Sequence, residues 1–158
     1  MTELHITVGM PGSGKSTIAV DLLANGFVDE IIYPDALREA IICDRKLPGD
    51  PYYNLSIETE VWFIVKQCVQ DELRRESNVL IDATHLTQAS RRQWLVLAKT
   101  FRAQPIAHFV NTDFNTCSAR NMSRKRKVPQ DVMYRFFEQS KSVSYSALEY
   151  EGWYVYEY

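Results

Sequence analysis

The sequence predicts an α/β fold in which a parallel five-stranded sheet carries helices on both faces. Short apolar runs of strand length occur at 5–8, 30–33, 79–81, 105–110 and 153–157. Between them, apolar residues recur at helical spacing. Strands that alternate with helices indicate βαβ units and therefore a parallel sheet. Right-handed crossovers then place helices on both faces of that sheet.

The helices themselves follow from the period of their apolar residues. They are predicted at 15–24, 35–43, 57–76, 90–101, 114–125 and 130–140. Asn25 and Gly26 favour a left-handed stop after the first helix, and Pro129 is favoured at a helix start. Residues 44–54 contain two prolines and a glycine, so they predict a loop.

Length and composition indicate a single globular domain over residues 1–158, since domains run to roughly 100–200 residues. The net charge of −2 provides no overall basic field, so a polyanionic ligand would need a local basic patch. Three cysteines lie far apart in the sequence, without metal-ligand spacing. They predict reduced thiols in a cytoplasmic protein. Neither a signal peptide nor a membrane helix is expected.

The strongest motif is a phosphate-binding loop. The segment GMPGSGKST matches the Walker A pattern G-x-x-x-x-G-K-[ST], with an apolar strand before it and a helix after it. We expect ATP to be bound by Gly9, Met10, Pro11, Gly12, Ser13, Gly14, Lys15, Ser16 and Thr17. Lys15 should reach the β- and γ-phosphates, and Ser16 should ligate Mg²⁺. The alternative is a glycine-rich turn without a ligand.

An acceptor side is predicted at the carboxyl end of the second strand. Asp35 follows that strand, where a carboxylate can act as general base towards an attacking hydroxyl. Its alternative role is to cap the next helix. Arg38 lies three residues on, hence on the same helix face. Its guanidinium could grip a substrate phosphate, or form only a surface ion pair with Asp35 or Glu39.

The third strand ends in VLIDATH. Asp82 is therefore predicted to hold Mg²⁺, directly or through a water, and Thr84 to bond a phosphate or Asp35. The alternative for Asp82 is a polar strand end with a role in the turn. His5 and His108 lie within apolar strands and are expected to be packed. The aromatic residues Trp153, Tyr154, Tyr156 and Tyr158 are expected to pack within the last strand.

The segment RNMSRKRK, residues 120–127, is strongly basic. Arg120, Arg124 and Lys127 follow i, i+4, i+7 spacing, so they are expected on one helix face. We expect a basic helical lid that closes over the nucleotide and neutralises charge on the transferring phosphoryl group. The alternative is a solvated basic face or a patch that binds nucleic acid non-specifically.

Taken together, four segments resemble the family of phage-type polynucleotide 5′-hydroxyl kinases, within the small P-loop kinases. They are GMPGSGKST, YPDALREAI, NVLIDATHLTQASRRQW and ARNMSRKRKVPQDVM, and YEGWYVYEY is similar to that family's last strand. The order and spacing hold along nearly the whole chain. The resemblance implies a P-loop NTPase fold of the adenylate-kinase-like type. It also implies transfer of the γ-phosphate of ATP, with Mg²⁺, to the 5′-hydroxyl end of DNA or RNA.

The resemblance also implies roles for individual residues. Lys15 and Ser16 would act on the phosphates and Mg²⁺, and Asp35 would be the general base. Arg38 would hold the phosphate 3′ to the acceptor nucleoside. Arg124 would stabilise the transition state, with Arg120 assisting on the nucleotide. No phosphatase domain accompanies these motifs, so end repair of nucleic acid would call for a partner phosphatase or ligase.

This sequence departs from the family pattern at three places. Ala36 follows Asp35 where a second acidic residue is common, and His85 stands where asparagine is common. The loop after Arg124 is about one residue shorter than in the phage enzyme. Two other functions stay open: a P-loop kinase of a small hydroxyl compound, such as a nucleoside or sugar, and a nucleotide-binding ATPase or switch.

Overall fold

The computed structural model describes residues 1–48 and 54–158, and these residues form a parallel sheet of five strands in the order β2-β3-β1-β4-β5. The strands are β1 Glu3–Val8, β2 Glu30–Ile32, β3 Val79–Ile81, β4 Gln104–Phe109 and β5 Tyr154–Glu157. All four strand pairings are parallel. The predicted sheet is therefore confirmed.

Seven helices connect these strands within the described ranges. They are α1 Lys15–Ala24, α2 Pro34–Arg45, α3 Leu55–Arg74, α4 Gln88–Phe101, α5 Phe114–Ser123, α6 Gln130–Ser140 and α7 Tyr145–Glu151. The α1 bounds are those predicted. The α2 helix runs on through Asp44 and Arg45, so the loop predicted at 44–54 begins too early. Residues 49–53 of that predicted loop lie outside the described residues. The short helix α7 was not predicted.

Alternate residues of the central strands face two separate apolar layers. Leu4, Ile6 and Val8 of β1 are buried in the larger layer, which contains Val61 of α3 and Trp94 of α4. A smaller layer joins Ala19 of α1 to Val28, Ile31 and Leu80. Helices thus cover both faces of the sheet, as expected for a sheet built from right-handed βαβ crossovers.

The topology brings three polar segments to one edge of the sheet. The phosphate-binding loop follows β1, Asp35 follows β2 and Asp82 follows β3. Backbone bonds fix their relative positions, from Gly9 N to Thr84 O at 3.0 Å and from Asp82 N to Ile32 O at 3.0 Å. Ligands of open α/β sheets bind at the carboxyl ends of the strands, so this edge is where a site is expected.

The last strand departs from the packing predicted for its tyrosines. Trp153 is only 3% exposed, but Tyr154, Tyr156 and Tyr158 remain 55%, 47% and 48% exposed. They lie on an edge strand. Tyr156 stacks on His108 at 5.5 Å between ring centroids. The prediction was correct for Trp153 and only partly correct for the tyrosines, which contact His108 or one another but stay about half exposed. The alternation that predicts a strand does not say whether a helix covers its outer face.

Two histidines were expected to pack within strands, and both are buried. His5 and His108 stack at 5.2 Å, and His5 Nδ1 lies 2.9 Å from His108 Nε2. Burial lowers the pKa of His5 to about 4 and that of His108 to about 3. Both rings are therefore neutral at physiological pH.

As for a membrane segment, no helix among residues 1–48 and 54–158 combines the length and the apolar character needed to cross a bilayer.

Candidate active site

The phosphate-binding loop has the backbone that its glycines permit. Gly12 has φ 81° and Gly14 has φ 106°, both in the left-handed region. A Cβ at Gly12 would lie 2.7 Å from the backbone oxygen of Cys117, so α5 approaches the loop too closely for any side chain there. The α1 helix begins at Lys15, so its positive dipole end faces the loop and favours bound phosphate.

Lys15 is buried inside the loop. Its Nζ donates to the Met10 carbonyl oxygen at 2.6 Å. Burial lowers the pKa of Lys15 to about 8, and the nearby charge of Asp82 partly opposes this shift. The ammonium group thus occupies the position where phosphate oxygens would enter the loop. It can exchange the Met10 carbonyl for a phosphate oxygen without leaving the site.

Ser16 and Asp82 meet at the mouth of the loop. Ser16 Oγ donates to Asp82 Oδ2 at 2.7 Å, and Thr7 Oγ1 lies 3.0 Å from Asp82 Oδ1. A hydroxyl and a carboxylate are the hard oxygen ligands that Mg²⁺ takes alongside substrate phosphates and water. Within the described residues no cluster of three or more His, Cys, Asp or Glu side chains forms a full metal cage. These oxygens fit an ion shared with a nucleotide.

Asp35 and Arg38 face each other across the first turn of α2, as predicted. Arg38 Nη1 donates to Asp35 Oδ1 at 2.7 Å. Desolvation within the cleft raises the pKa of Asp35, and Arg38 opposes that shift. The Asp35 side chain remains 64% exposed, and water together with the Arg38 guanidinium stabilises its ionised form. An ionised carboxylate can accept a proton.

A glutamate that the sequence did not single out holds the other side of Arg38. Glu58 of α3 accepts from Arg38 Nε at 2.6 Å and from Nη2 at 3.0 Å. These hydrogen bonds lower the pKa of Glu58. Trp62 Nε1 also donates to Glu58 at 3.1 Å, and the Arg38 guanidinium lies 5.6 Å from the Trp62 ring centroid. The guanidinium is therefore fixed in orientation.

One cavity joins these groups. It has a volume of about 300 Å³. Its lining includes most of the predicted site residues, namely Pro11, Gly12, Gly14, Lys15, Ser16, Thr17, Asp35, Arg38, Asp82, Thr84 and Arg124. Trp62, Arg126, Val128 and Phe136 also line it, and none of these four was singled out from the sequence. Arg126 lies in the basic segment and Val128 directly follows it. The prediction that this segment closes over the nucleotide could therefore have included both residues.

The basic segment differs from the predicted helical lid. The α5 helix ends at Ser123, and Arg124 is its C-cap residue with extended backbone at φ −73° and ψ 147°. Lys127 is therefore not on the helix, and the single face predicted for Arg120, Arg124 and Lys127 is wrong. Spacing of basic residues cannot distinguish a helix from a loop, because both expose long charged side chains.

The two arginines nevertheless lie at the phosphate-binding loop. Arg120 Nη1 donates to the carbonyl oxygens of Gly12 and Ser13, each at 3.2 Å. Arg124 lines the main cavity and also an adjoining groove. That groove runs over the outer side of the loop, past Thr17 and Thr112, to Tyr158. It offers room for the nucleoside part of a nucleotide.

His85 has a structural position beneath the site. Its ring is buried, Nδ1 donates to the Thr7 carbonyl oxygen at 2.8 Å and Nε2 accepts from Trp94 Nε1 at 3.1 Å. Its φ of 43° is left-handed, a conformation in which Asn, Asp and His are enriched. Histidine is thus compatible with the backbone conformation at this position.

The fold and the loop together define a P-loop kinase-like phosphotransferase. The chain belongs to the family described as AAA domain, whose model matches residues 4–145. P-loop kinases in general use ATP and Mg²⁺.

Known proteins that this chain is similar to include enzymes with different acceptors. It is 24% identical over 139 residues to the L-seryl-tRNA(Sec) kinase of Methanococcus maripaludis, covering 85% of this chain and 51% of the relative. It superposes on a chain in the Pnkp1/Rnl/Hen1 RNA repair complex with a TM-score of 0.70 and 25% identity, covering 89% of this chain and 44% of that one. This chain thus spans about half the length of both.

A sugar kinase from Janibacter sp. HTCC2649, solved without ligand, superposes with a TM-score of 0.66. The identity is 15%, over 99% of this chain and 86% of that one. At this identity the likeness concerns the fold alone.

Proposed function

We propose that this chain transfers the γ-phosphate of ATP to the 5′-hydroxyl end of DNA or RNA. The observation that carries the proposal is the arrangement of Asp35 and Arg38 at the mouth of the phosphate-binding loop. A base and a fixed guanidinium lie 2.7 Å apart there. This is what an acceptor with a hydroxyl and a neighbouring phosphate requires.

Arg38 retains hydrogen-bonding capacity for such a phosphate. A guanidinium has five N–H donors, and Arg38 uses one from Nε and one from each Nη towards Glu58 and Asp35. One N–H remains on Nη1 and one on Nη2 among its contacts with the described residues. These two donors are available to the oxygens of a phosphodiester.

The proposed phosphoryl transfer forms one bond to the γ-phosphorus and breaks another. The 5′-hydroxyl proton passes to the Asp35 carboxylate as the hydroxyl oxygen bonds to the γ-phosphorus. The bond from the γ-phosphorus to the β–γ bridging oxygen breaks, and ADP leaves. Lys15 and Arg124 neutralise the charge that spreads over the phosphoryl oxygens. Mg²⁺, when bound at Ser16 and Asp82, would supply further charge neutralisation.

The names of two similar proteins include RNA, which supports an acceptor group carried on RNA. The archaeal relative is named as a kinase of seryl-tRNA, and the other comes from an RNA repair complex. By analogy with that complex, we propose a ligase or a phosphatase as a working partner. The second candidate is a kinase of a small hydroxyl compound, and the sugar kinase shows that the same fold can serve such an enzyme.

The test is transfer of labelled phosphate from ATP to 5′-hydroxyl oligonucleotides of DNA and RNA, a nucleoside 3′-monophosphate, free nucleosides and simple sugars. We expect label on the oligonucleotides. Arg38→Ala should lower oligonucleotide turnover by about 10- to 100-fold, the equivalent of a charged hydrogen-bonding contact, and affect free nucleosides far less.

Arg45→Ala is the matched control. Arg45 also joins α2 to α3, through a two-bond pair with Glu60, but it is not part of the cavity lining. It should leave turnover unchanged. Label on sugars or nucleosides alone would favour the second candidate. Release of free phosphate with every acceptor would favour an ATPase or switch.

A further inference from the structure

A buried asparagine closes the loop that carries Arg124. Asn121 is 1% exposed and lies near the end of α5. Its Nδ2 donates to the Val128 carbonyl oxygen at 2.8 Å, and its Oδ1 accepts from Val128 N at 2.9 Å. Both ends of the amide thus bond the two backbone groups of one residue seven positions away.

These two bonds close the 122–127 loop, a name that here includes the last two residues of α5, and this loop needs such a constraint. All six of its residues are exposed, so burial does not hold them. Four of the six, from Arg124 to Lys127, are basic, and their mutual repulsion favours spreading apart. Val128 packs against the core, so it is a fixed point to which the asparagine can attach the loop.

The position of the loop matters to the site. Arg124 and Arg126 both line the cavity, and the charge of Arg124 acts on Lys15. The residue before Asn121, Arg120, donates to the carbonyl oxygens of Gly12 and Ser13. Adjacent residues of α5 therefore connect the phosphate-binding loop on one side and the basic loop on the other.

We propose that Asn121 is a positioning residue, which holds the 122–127 loop over the cleft so that Arg124 faces the transferring phosphoryl group. This inference rests on the proposed function, in which Arg124 acts on the transition state. A buried amide is costly unless it is hydrogen-bonded. Both polar atoms of the Asn121 side chain bond Val128, the residue at the end of this loop. The buried amide therefore fixes the position of the loop.

The test is a double-mutant cycle on the full chain with Asn121→Ala and Arg124→Ala. Alone, Arg124→Ala should lower kcat by about 10³-fold, as for an arginine finger. Asn121→Ala should lower kcat at least about tenfold with nucleotide affinity close to that of the wild type, and it should lower Tm because both backbone groups of Val128 lose their partner. In the Arg124→Ala background, Asn121→Ala should change kcat less than about twofold, because residues that act through one another are not additive.

An equal fold-loss from Asn121→Ala in both backgrounds would overturn the proposal, as would an Arg124→Ala variant with normal kcat. Asn115→Ala, on the exposed face of the same helix, is the matched control and should be neutral. If Asn121→Ala does not fold, Asn121→Asp replaces it. This variant keeps the acceptor for Val128 N and loses the donor to the Val128 carbonyl.

The double-mutant cycle tests the positioning role of Asn121 independently of the proposed 5′-hydroxyl acceptor. If 5′-hydroxyl oligonucleotides receive no label, the acceptor assignment fails. The same cycle is then measured on ADP release with whichever acceptor, or water, the wild type uses. Coupling between the two positions in that assay supports the positioning role, and independent effects exclude it.

Discussion

At the scale of single residues, the carboxylate that we propose as the base is oriented by its neighbours. Asp35 accepts a hydrogen bond from Arg38 at 2.7 Å, and Glu58 holds Arg38 from the opposite side. The proposed base thus has a preferred direction before any substrate arrives. Preorganisation of this kind reduces the cost of reaching the transition state.

Asp35→Asn is expected to lower kcat by about 10²- to 10⁴-fold, the range for a general base. The amide keeps an oxygen acceptor for Arg38 but cannot take a proton. Binding of ATP, measured by equilibrium titration, should stay within about twofold of wild type. Asp21→Asn, an exposed carboxylate on α1, should have no effect. Near-normal turnover of Asp35→Asn would remove Asp35 as the base.

Residue-scale features were predictable from the sequence to different degrees. GMPGSGKST is a contiguous motif whose conformation is set locally, so Lys15 and Ser16 could be placed from the pattern alone. Glu58 could not, because its bond to Arg38 joins residues twenty positions apart. That contact depends on how α2 packs on α3.

At the scale of elements, the phosphate-binding loop and α5 support each other by close backbone approach. A side chain at Gly12 would meet the Cys117 backbone at 2.7 Å. Backbone atoms cannot rotate out of the way as the end of a side chain can. The contact therefore fixes the separation of the two elements, and Arg120 bonds across it.

Gly12→Ala is expected to push the loop and α5 apart and to weaken ATP binding by at least about tenfold. Two effects combine, the clash and a left-handed backbone that costs roughly 1–2 kcal/mol for a non-glycine residue. Gly26→Ala is the control for the second effect alone, since Gly26 has φ 73° and nothing within 4 Å of its Cβ position. Calorimetric titration with ATP should show normal affinity in Gly26→Ala; equal losses in both variants would count against the clash.

Element boundaries were predicted where capping chemistry was considered and missed where it was not. The helix α7 spans only Tyr145–Glu151, but Ser144 caps its start and Gly152 ends it in a left-handed conformation. Both signals are visible in the sequence. The end of α5 at Ser123 carries no comparable signal, so the basic periodicity beyond it was mistaken for helix.

At the scale of the whole molecule, buried histidines make stability depend on pH. Burial holds the pKa of His5 and His85 at about 4 and that of His108 at about 3. In the unfolded chain these groups titrate near 6.5. Between those values the unfolded state binds more protons than the folded state, so stability falls as pH decreases from about 6.5 towards 4.

Urea unfolding at pH 7, 6 and 5 should show this loss, at up to about 1.4 kcal/mol per pH unit for each histidine. His108→Phe keeps an aromatic ring to stack on Tyr156 and removes one titrating group. Its stability should therefore vary less steeply over the same range. If the free energy of unfolding changed with pH equally in the two proteins, protonation of His108 would not contribute to the loss of stability.

The parallel pairing of the strands and the covered faces were predictable because strand–helix alternation favours right-handed βαβ units, whereas the strand order β2-β3-β1-β4-β5 was not predicted. The exposed tyrosines of β5 were not predictable either. Whether a helix covers the outer face of an edge strand depends on the path of the whole chain, and strand periodicity contains no information about that path.

The contact between Arg38 and Trp62 has an experimental use. Trp94 and Trp153 are buried in the core, whereas Trp62 lines the cavity beneath the guanidinium. Of the three indoles, Trp62 is thus the one whose surroundings change when a ligand enters. We expect its fluorescence to report occupancy of this cavity, so that binding can be followed in variants that no longer turn over.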